Sequence, residues 1–255
     1  MASERVGTLW GVGVGPGDPE LMTLKAVRLL RICPVVAFPA GRKGEAGIAQ
    51  RIIGDQLQPH QTTLPLEFPF VQEPAVLAAA WEKAATLVWA HLRAGQDVVF
   101  ATEGDASFYS TFTYLAQTLQ QAHPDVNIQT VPGVCSPLAA AAQLGEPLTI
   151  LQQRLVVLPA LYAIADLEAA LDQADVVVLM KVASVYPAVW QILQRRQLLS
   201  QSRVVVRATQ PDAQIYTDLT PHPQLQLPYF SLMVIYCVQD GSARGATHGT
   251  NLRLG

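Results

Sequence analysis

Residues 8–31, TLWGVGVGPGDPELMTLKAVRLLR, read as a strand, a glycine loop and a helix in immediate succession. Thr8 to Gly15 is an apolar, strand-type run ending in glycines. Asp18-Pro19 then supplies a side-chain cap followed by proline at the first helical position. Leu21, Leu24, Val27 and Leu30 recur on one side of the helix expected over Pro19 to Arg31. Pro34 stops it, and a short strand, Val35 to Phe38, follows. A strand, loop, helix and strand in this order specify an α/β architecture.

The loop Gly11-Val12-Gly13-Val14-Gly15-Pro16-Gly17-Asp18 sits where α/β folds bind ligands, at the C-terminal end of the first strand. It is not a dinucleotide fingerprint, because Pro16 or Asp18 occupies the last glycine position in either register. Proline removes a backbone donor, and a carboxylate at the helix start takes the place a pyrophosphate needs. Neither Lys25 nor Lys43 lies in a GK[ST] loop, so phosphate binding of the P-loop type is excluded. Two readings remain: a tight turn with a helix cap, or a main-chain cradle for a ligand that is not a polyphosphate.

Working outward, Gly41 to Gly47 is a polar loop carrying Arg42 and Lys43. Ile48 to Leu57 reads as helix, and Pro59 to Pro74 as proline-rich and irregular. Ala75 to Arg93 is strongly helical. Asp97 to Ala101 is a buried-type strand, and a helix is expected from about Ser107 to Gln121. Ile128 to Val131 is another strand, followed by an alanine-rich helix ending at Leu144. From Leu155 the pattern changes to the strand runs 155–158, 176–180, 204–206 and 230–238, with helices near 166–172 and 186–196, which suits a second, mixed sheet. We therefore expect an N-terminal α/β domain over 1–145, a linker over 146–154, a C-terminal α/β domain over 155–240 and a flexible tail over 241–255.

Half of the 255 residues are hydrophobic and 15% are charged, below the roughly 25% of ordinary domains, so a sizeable core is available. Lys+Arg 17 against Asp+Glu 20 gives a net charge of −3, which argues against bulk nucleic acid or an anionic membrane as partner. No apolar run approaches the ~20 residues of a membrane helix. Glu4 and Arg5 precede the first strand without a signal-type apolar core, and Cys33, Cys135 and Cys237 form no close pair, so we expect a soluble protein of the cytoplasm. The five histidines are scattered, and no metal site is expected.

Two further loops follow buried strands. Thr102-Glu103-Gly104-Asp105-Ala106-Ser107-Phe108-Tyr109-Ser110-Thr111 is a second glycine-and-acid loop, in which Asp105 is either an N-cap or a ligand contact. Val131-Pro132-Gly133-Val134-Cys135-Ser136-Pro137 is the third; no histidine neighbours Cys135, so it reads as a small buried hydrophobe rather than a nucleophile. Met180-Lys181 closes another buried strand. By Coulomb sign, two acidic glycine loops favour a cationic nucleoside such as S-adenosylmethionine.

Taken together, GVGVGPGDPELMTLKA, ATEGDASFYSTF, TVPGVCSPLAAAAQLGEPL, VVVLMK and LPYFSLMVIY resemble the tetrapyrrole methylase family in order and spacing, from the first strand to about Val238. The EGDASFYSTF segment resembles the branch that methylates C(20) of precorrin-2, whereas uroporphyrinogen methylases usually carry a GGDP-type loop. The resemblance implies a two-domain tetrapyrrole methylase fold with S-adenosylmethionine in the interdomain cleft, commonly in a homodimer. Carried over by motif, it assigns Pro16, Glu103, Gly104, Asp105, Phe108, Cys135, Ser136, Met180, Ala208 and Thr209 to the cofactor. The substrate's carboxylate arms call for cations, and Arg42, Lys43, Arg51 and Lys181 are candidates, with Tyr109 and Ser110 on the substrate side. Uroporphyrinogen-branch relatives have an acidic residue where this chain has Pro39, so no catalytic base is assigned. A methylase of another ring position and a non-catalytic adenosyl-binding regulator are the competing readings; an RNA-modifying relative is disfavoured by the missing basic patch.

Overall fold

Thr8–Gly13 forms β1, flanked in an all-parallel sheet by β4 (Val98–Thr102) on one side and β5 (Asn127–Val131) on the other. β2 (Val35–Pro39) and β3 (Thr62–Leu66) complete the order β3-β2-β4-β1-β5. The computed structural model describes residues 5–41, 45–69, 71, 73–160 and 163–237; Arg42, Lys43 and the expected tail over 241–255 lie outside the described residues. The chain divides into two compact units, 1–139 and 140–255.

Strand alternation puts neighbouring residues into different cores. Val35, Ala37, Val98 and Phe100 face a cluster with α3 (Pro74–Leu92) and α4 (Thr111–Ala122). Val36, Phe38, Val99 and Ala101 face another with α1 (Leu24–Ile32) and α2 (Ile48–Ile53). Both sheet faces are thus covered, which is why these strands read as continuous apolar runs.

The helix expected over Pro19 to Arg31 is split. Asp18 caps the Glu20 N–H, but the turn Pro19–Leu21 ends at an extended Met22, and α1 starts anew when the Thr23 hydroxyl accepts from Ala26 N–H. The stretch 59–74, read as irregular, contains β3; Pro65 is tolerated because β3 is an edge strand. α4 begins at Thr111, four residues after the expected Ser107, because Ser110 is its cap: its hydroxyl accepts the Phe112 N–H at 3.1 Å.

In the second unit β6 (Leu155–Leu158) is parallel to β7 (Val176–Met180), while β10 (Ser231–Tyr236) runs antiparallel to β7 and to β8 (Ser202–Val206). This is the expected mixed sheet, extended by the unanticipated edge strand β9 (Gln214–Tyr216). α5 (Ser136–Leu144), α6 (Ile164–Gln173) and α7 (Tyr186–Arg195) complete the helices described. Leu167, Leu171, Val189, Ile192 and Leu193 of α6 and α7 pack with Val177, Leu179, Val204, Met233 and Ile235. Tyr186, fully buried, donates its hydroxyl to the His222 carbonyl at 2.7 Å, and burial, reinforced by Tyr216, pushes its pKa up to about 12. Trp190 donates to the Leu219 carbonyl at 2.8 Å, so α7 holds the segment 219–222 by two polar contacts.

Arg203 on β8 gathers its neighbourhood. Its guanidinium pairs with Glu146 at 3.2 Å, donates to the carbonyls of Ser200 at 2.8 Å and Thr217 at 2.7 Å, and lies over the Tyr236 ring at 5.8 Å. Arg203→Ala leaves a carboxylate and two carbonyls without that donor. With Glu146 over a third exposed and solvent able to compensate, we expect a loss of about 2 kcal/mol. Urea unfolding followed by fluorescence checks it, and a shift no larger than that of a surface substitution would show the network to be ornamental.

Candidate cofactor site

Because β1, β4 and β5 are adjacent and parallel, their C-terminal ends deliver three loops to one edge of the first sheet. The first two are joined by main chain. Val14 N–H donates to the Thr102 carbonyl at 3.0 Å, Gly15 N–H to Gly104 at 3.1 Å, and Gly104 N–H back to Gly15 at 2.8 Å. Gly15 and Gly104 hold φ of +80° and +71°, conformations in which a Cβ is strained. The third loop packs closely against the first two at its glycine: a Cβ on Gly13 would stand 2.7 Å from both the Gly104 oxygen and the Gly133 nitrogen. Three glycines, one from each loop, therefore touch.

Asp105 lies in this junction. One carboxylate oxygen accepts from the Ser107 N–H at 2.8 Å and hydroxyl at 2.7 Å; the other accepts the Gly133 N–H at 2.7 Å. Burial alone would raise its pKa, but the hydrogen bonds from Ser107, Gly133 and Phe108 outweigh that and hold it below the usual aspartate value. Ser110 is buried and shares its hydroxyl with Thr102 at 3.0 Å, giving this expected substrate-side residue the task of closing the loop and capping α4. Between them, Phe108 and Tyr109 meet edge to face at 4.7 Å. Tyr109 is exposed and has a left-handed φ of 51°. Pro16 is buried beside Gly15, Glu103 and Cys135 are half-buried, and Ser136 opens α5.

The residues present fit an adenosyl group with a positive centre. No lysine or arginine occurs in 13–18, 103–110 or 131–136, and Asp18 and Glu103 set the sign of the field. A Cβ on Gly104 would meet nothing nearer than the Cys135 Cα at 4.0 Å, so what favours glycine at this buried position is its φ of +71° and not a close neighbour.

The second unit has its own strand-end cluster. β7 and β8 are both antiparallel to β10, so Met180-Lys181 and Arg207-Ala208-Thr209 share an edge, on either side of the first residues of β10. Lys181, Arg207 and Thr209 have φ of 54°, 48° and 65°; for the β-branched Thr209 this is a strained conformation of the kind concentrated at functional sites. Thr209 N–H donates to the Gln143 side chain at 3.0 Å, Lys181 Nζ lies 5.7 Å from the Tyr229 ring centre, and Arg207 pairs with Asp212.

Of the expected substrate cations, Arg51 is exposed on α2, Lys181 is exposed just after β7, and Arg42 and Lys43 lie outside the described residues. Pro39 ends β2. A cavity of about 280 Å³ opens beside the ends of β2 and β3, with Ala40, Leu66, Glu67, Lys83 and Leu87 in its wall. Lys83 is exposed on α3 and pairs with the exposed Glu67 at 3.0 Å.

Residues 8–222 match the family model described as Tetrapyrrole (Corrin/Porphyrin) Methylases. The chain belongs to the tetrapyrrole methylase family. It is 34% identical over 230 residues to the cobalt-precorrin-2 C(20)-methyltransferase of Salmonella typhimurium, covering 90% of this chain and 96% of that one. It is 32% identical over 243 residues to the precorrin-2 C(20)-methyltransferase of a Sinorhizobium species, covering 92% and 97%. Among solved structures, the uroporphyrin-III C-methyltransferase of Thermus thermophilus, crystallised with S-adenosylhomocysteine, superposes with a TM-score of 0.64 at 22% identity over 90% of this chain and 97% of that one. That likeness confirms the two-domain fold of the family.

Proposed function

We propose that this chain transfers a methyl group from S-adenosylmethionine to C(20) of precorrin-2, or of its cobalt complex, in corrin ring synthesis. The observation that carries the reading is near-full-length similarity to two relatives named for the same ring position, one for the cobalt substrate and one without cobalt in its name. The adenosyl cofactor supplies an electrophilic sulfonium methyl. The chain's own residues supply position. The interlocked loops around Gly13, Gly104 and Gly133 hold the adenosyl group by main chain, with Pro16, Glu103, Phe108, Cys135 and Ser136 lining it; the family resemblance also assigns Met180, Ala208 and Thr209 to the cofactor. Holding an electron-rich ring carbon in line with the methyl group and excluding water can contribute roughly 7 to 11 kcal/mol to such a reaction.

The acceptor's acid arms fall to Lys181, Arg51, Arg42, Lys43 and, beside the cavity, Lys83. Lys181→Ala should raise the half-saturating tetrapyrrole concentration about tenfold, one charge-assisted hydrogen bond's worth, while S-adenosylhomocysteine affinity is unchanged. Equal kinetics for the variant would remove Lys181 from the site. We further read the enzyme as a cytoplasmic homodimer, on the resemblance and on its three free cysteines, with the linker over 146–154 starting at the Glu146 held by Arg203. Two measurements on purified protein test the function: S-adenosylhomocysteine binding by calorimetry, and methyl transfer to precorrin-2 compared with uroporphyrinogen III. Tight binding with transfer to precorrin-2 alone supports the assignment. Binding with no transfer to any tetrapyrrole favours a regulator.

A further inference from the structure

We propose that Asp105 is a positioning residue, which ties the second strand-end loop to the third by accepting the Gly133 N–H and so shapes the adenosyl site without itself touching the ligand. This deepens the cofactor reading above and rests on it. The charge argument from sequence makes Asp105 a contact for the cationic cofactor; the geometry gives its carboxylate other work. Both oxygens are engaged by protein donors, one by the two Ser107 groups and one by Gly133 at 2.7 Å. Asp105 and Gly133 are 28 residues apart, so this is a tertiary link and not a local turn.

The link matters because of what Gly133 does. It is wedged against Gly13 and Gly104, where even a Cβ has no room, so a small displacement of the third loop alters the surface presented by all three. The second loop is fixed elsewhere, by the paired Gly15 and Gly104 main chains and by the Thr102 and Ser110 hydroxyls at 3.0 Å. Asp105 thus transmits a fixed position from the second loop to the third. Ionised at neutral pH, as its lowered pKa requires, it serves solely as an acceptor.

Asp105→Asn is the discriminating change, since its amide NH2 cannot accept and one of the two links is lost. Calorimetry with S-adenosylmethionine, S-adenosylhomocysteine and 5′-methylthioadenosine separates the roles. These ligands carry in turn a sulfonium with an ammonium, an ammonium alone, and neither. A positioning role weakens all three by the same factor, on the order of tenfold, with the half-saturating tetrapyrrole concentration unchanged. A larger loss for the charged ligands would mean direct contact and would overturn the proposal, as would unchanged affinity for all three. If the parent protein bound none of them, the adenosyl reading itself would fall and take the proposal with it. Ser107→Ala gives a second test should the Asn variant not fold. It leaves the carboxylate in place but frees it to shift, and should weaken all three ligands equally, by about threefold, and speed hydrogen exchange at the Gly133 amide. No change in either readout would contradict the link.

Discussion

Gly133→Ala is expected to weaken S-adenosylhomocysteine binding on the order of 100-fold, about 2.7 kcal/mol, while the protein still folds. The added methyl collides with the Gly104 carbonyl and with the Gly13 main chain, and none of these is the far end of a side chain that can swing away. Relief requires the third loop to retreat from the other two, and the shape that the cradle presents to a ligand goes with it. Gly13→Ala attacks the same junction from the first loop and should give a loss of similar size. Calorimetric titration, with a thermal melt to verify folding, checks both; affinity within threefold of the parent would show that the junction does not shape the site.

The second large effect is on stability. Phe100→Ala should cost about 3 to 5 kcal/mol in urea unfolding of the first unit. The Phe100 ring is fully buried on β4 and meets Phe112 at 6.1 Å and Phe68 at 6.2 Å, so truncation leaves a cavity walled by rings on α4 and on the segment after β3. Those walls belong to the close-packed layer between the sheet and the helices α3 and α4, and collapse incompletely. Phe100→Leu, which refills most of the space, should recover over half of the loss; equal losses for Ala and Leu would point to strain in place of a cavity.

These two residues show what the sequence made legible. Apolar runs placed β1, β2, β4, β7 and β10 within one or two residues, because strands buried on both faces leave an unbroken hydrophobic signature, and β6, a partly exposed edge strand, was placed by its apolar residues alone. β3 was missed because Pro59, Pro65, Pro69 and Pro74 make the stretch read as irregular, and only pairing with β2 makes the segment a strand. The glycines of GVGVGPG were visible, but not their separate reasons. Gly11 is glycine because the Phe112 ring packs against it, Gly13 because another chain segment passes there, and Gly15 because its φ is positive. None of these is encoded locally. The same holds for Asp105: its position two residues before Ser107 announces a cap, while its bond to Gly133 depends on β4 and β5 both flanking β1. The loops that carry the proposed site were therefore readable, and the division of labour within them was not.

The most direct test of the central claim is anaerobic incubation of the protein with methyl-13C S-adenosylmethionine and precorrin-2, and in parallel with its cobalt complex, reading the ring position of the label by NMR. The account predicts one labelled methyl at C(20) in at least one reaction, and the reaction that yields it identifies the natural metal state. A label at any other ring carbon, or none in either reaction with adenosyl binding intact, would contradict it.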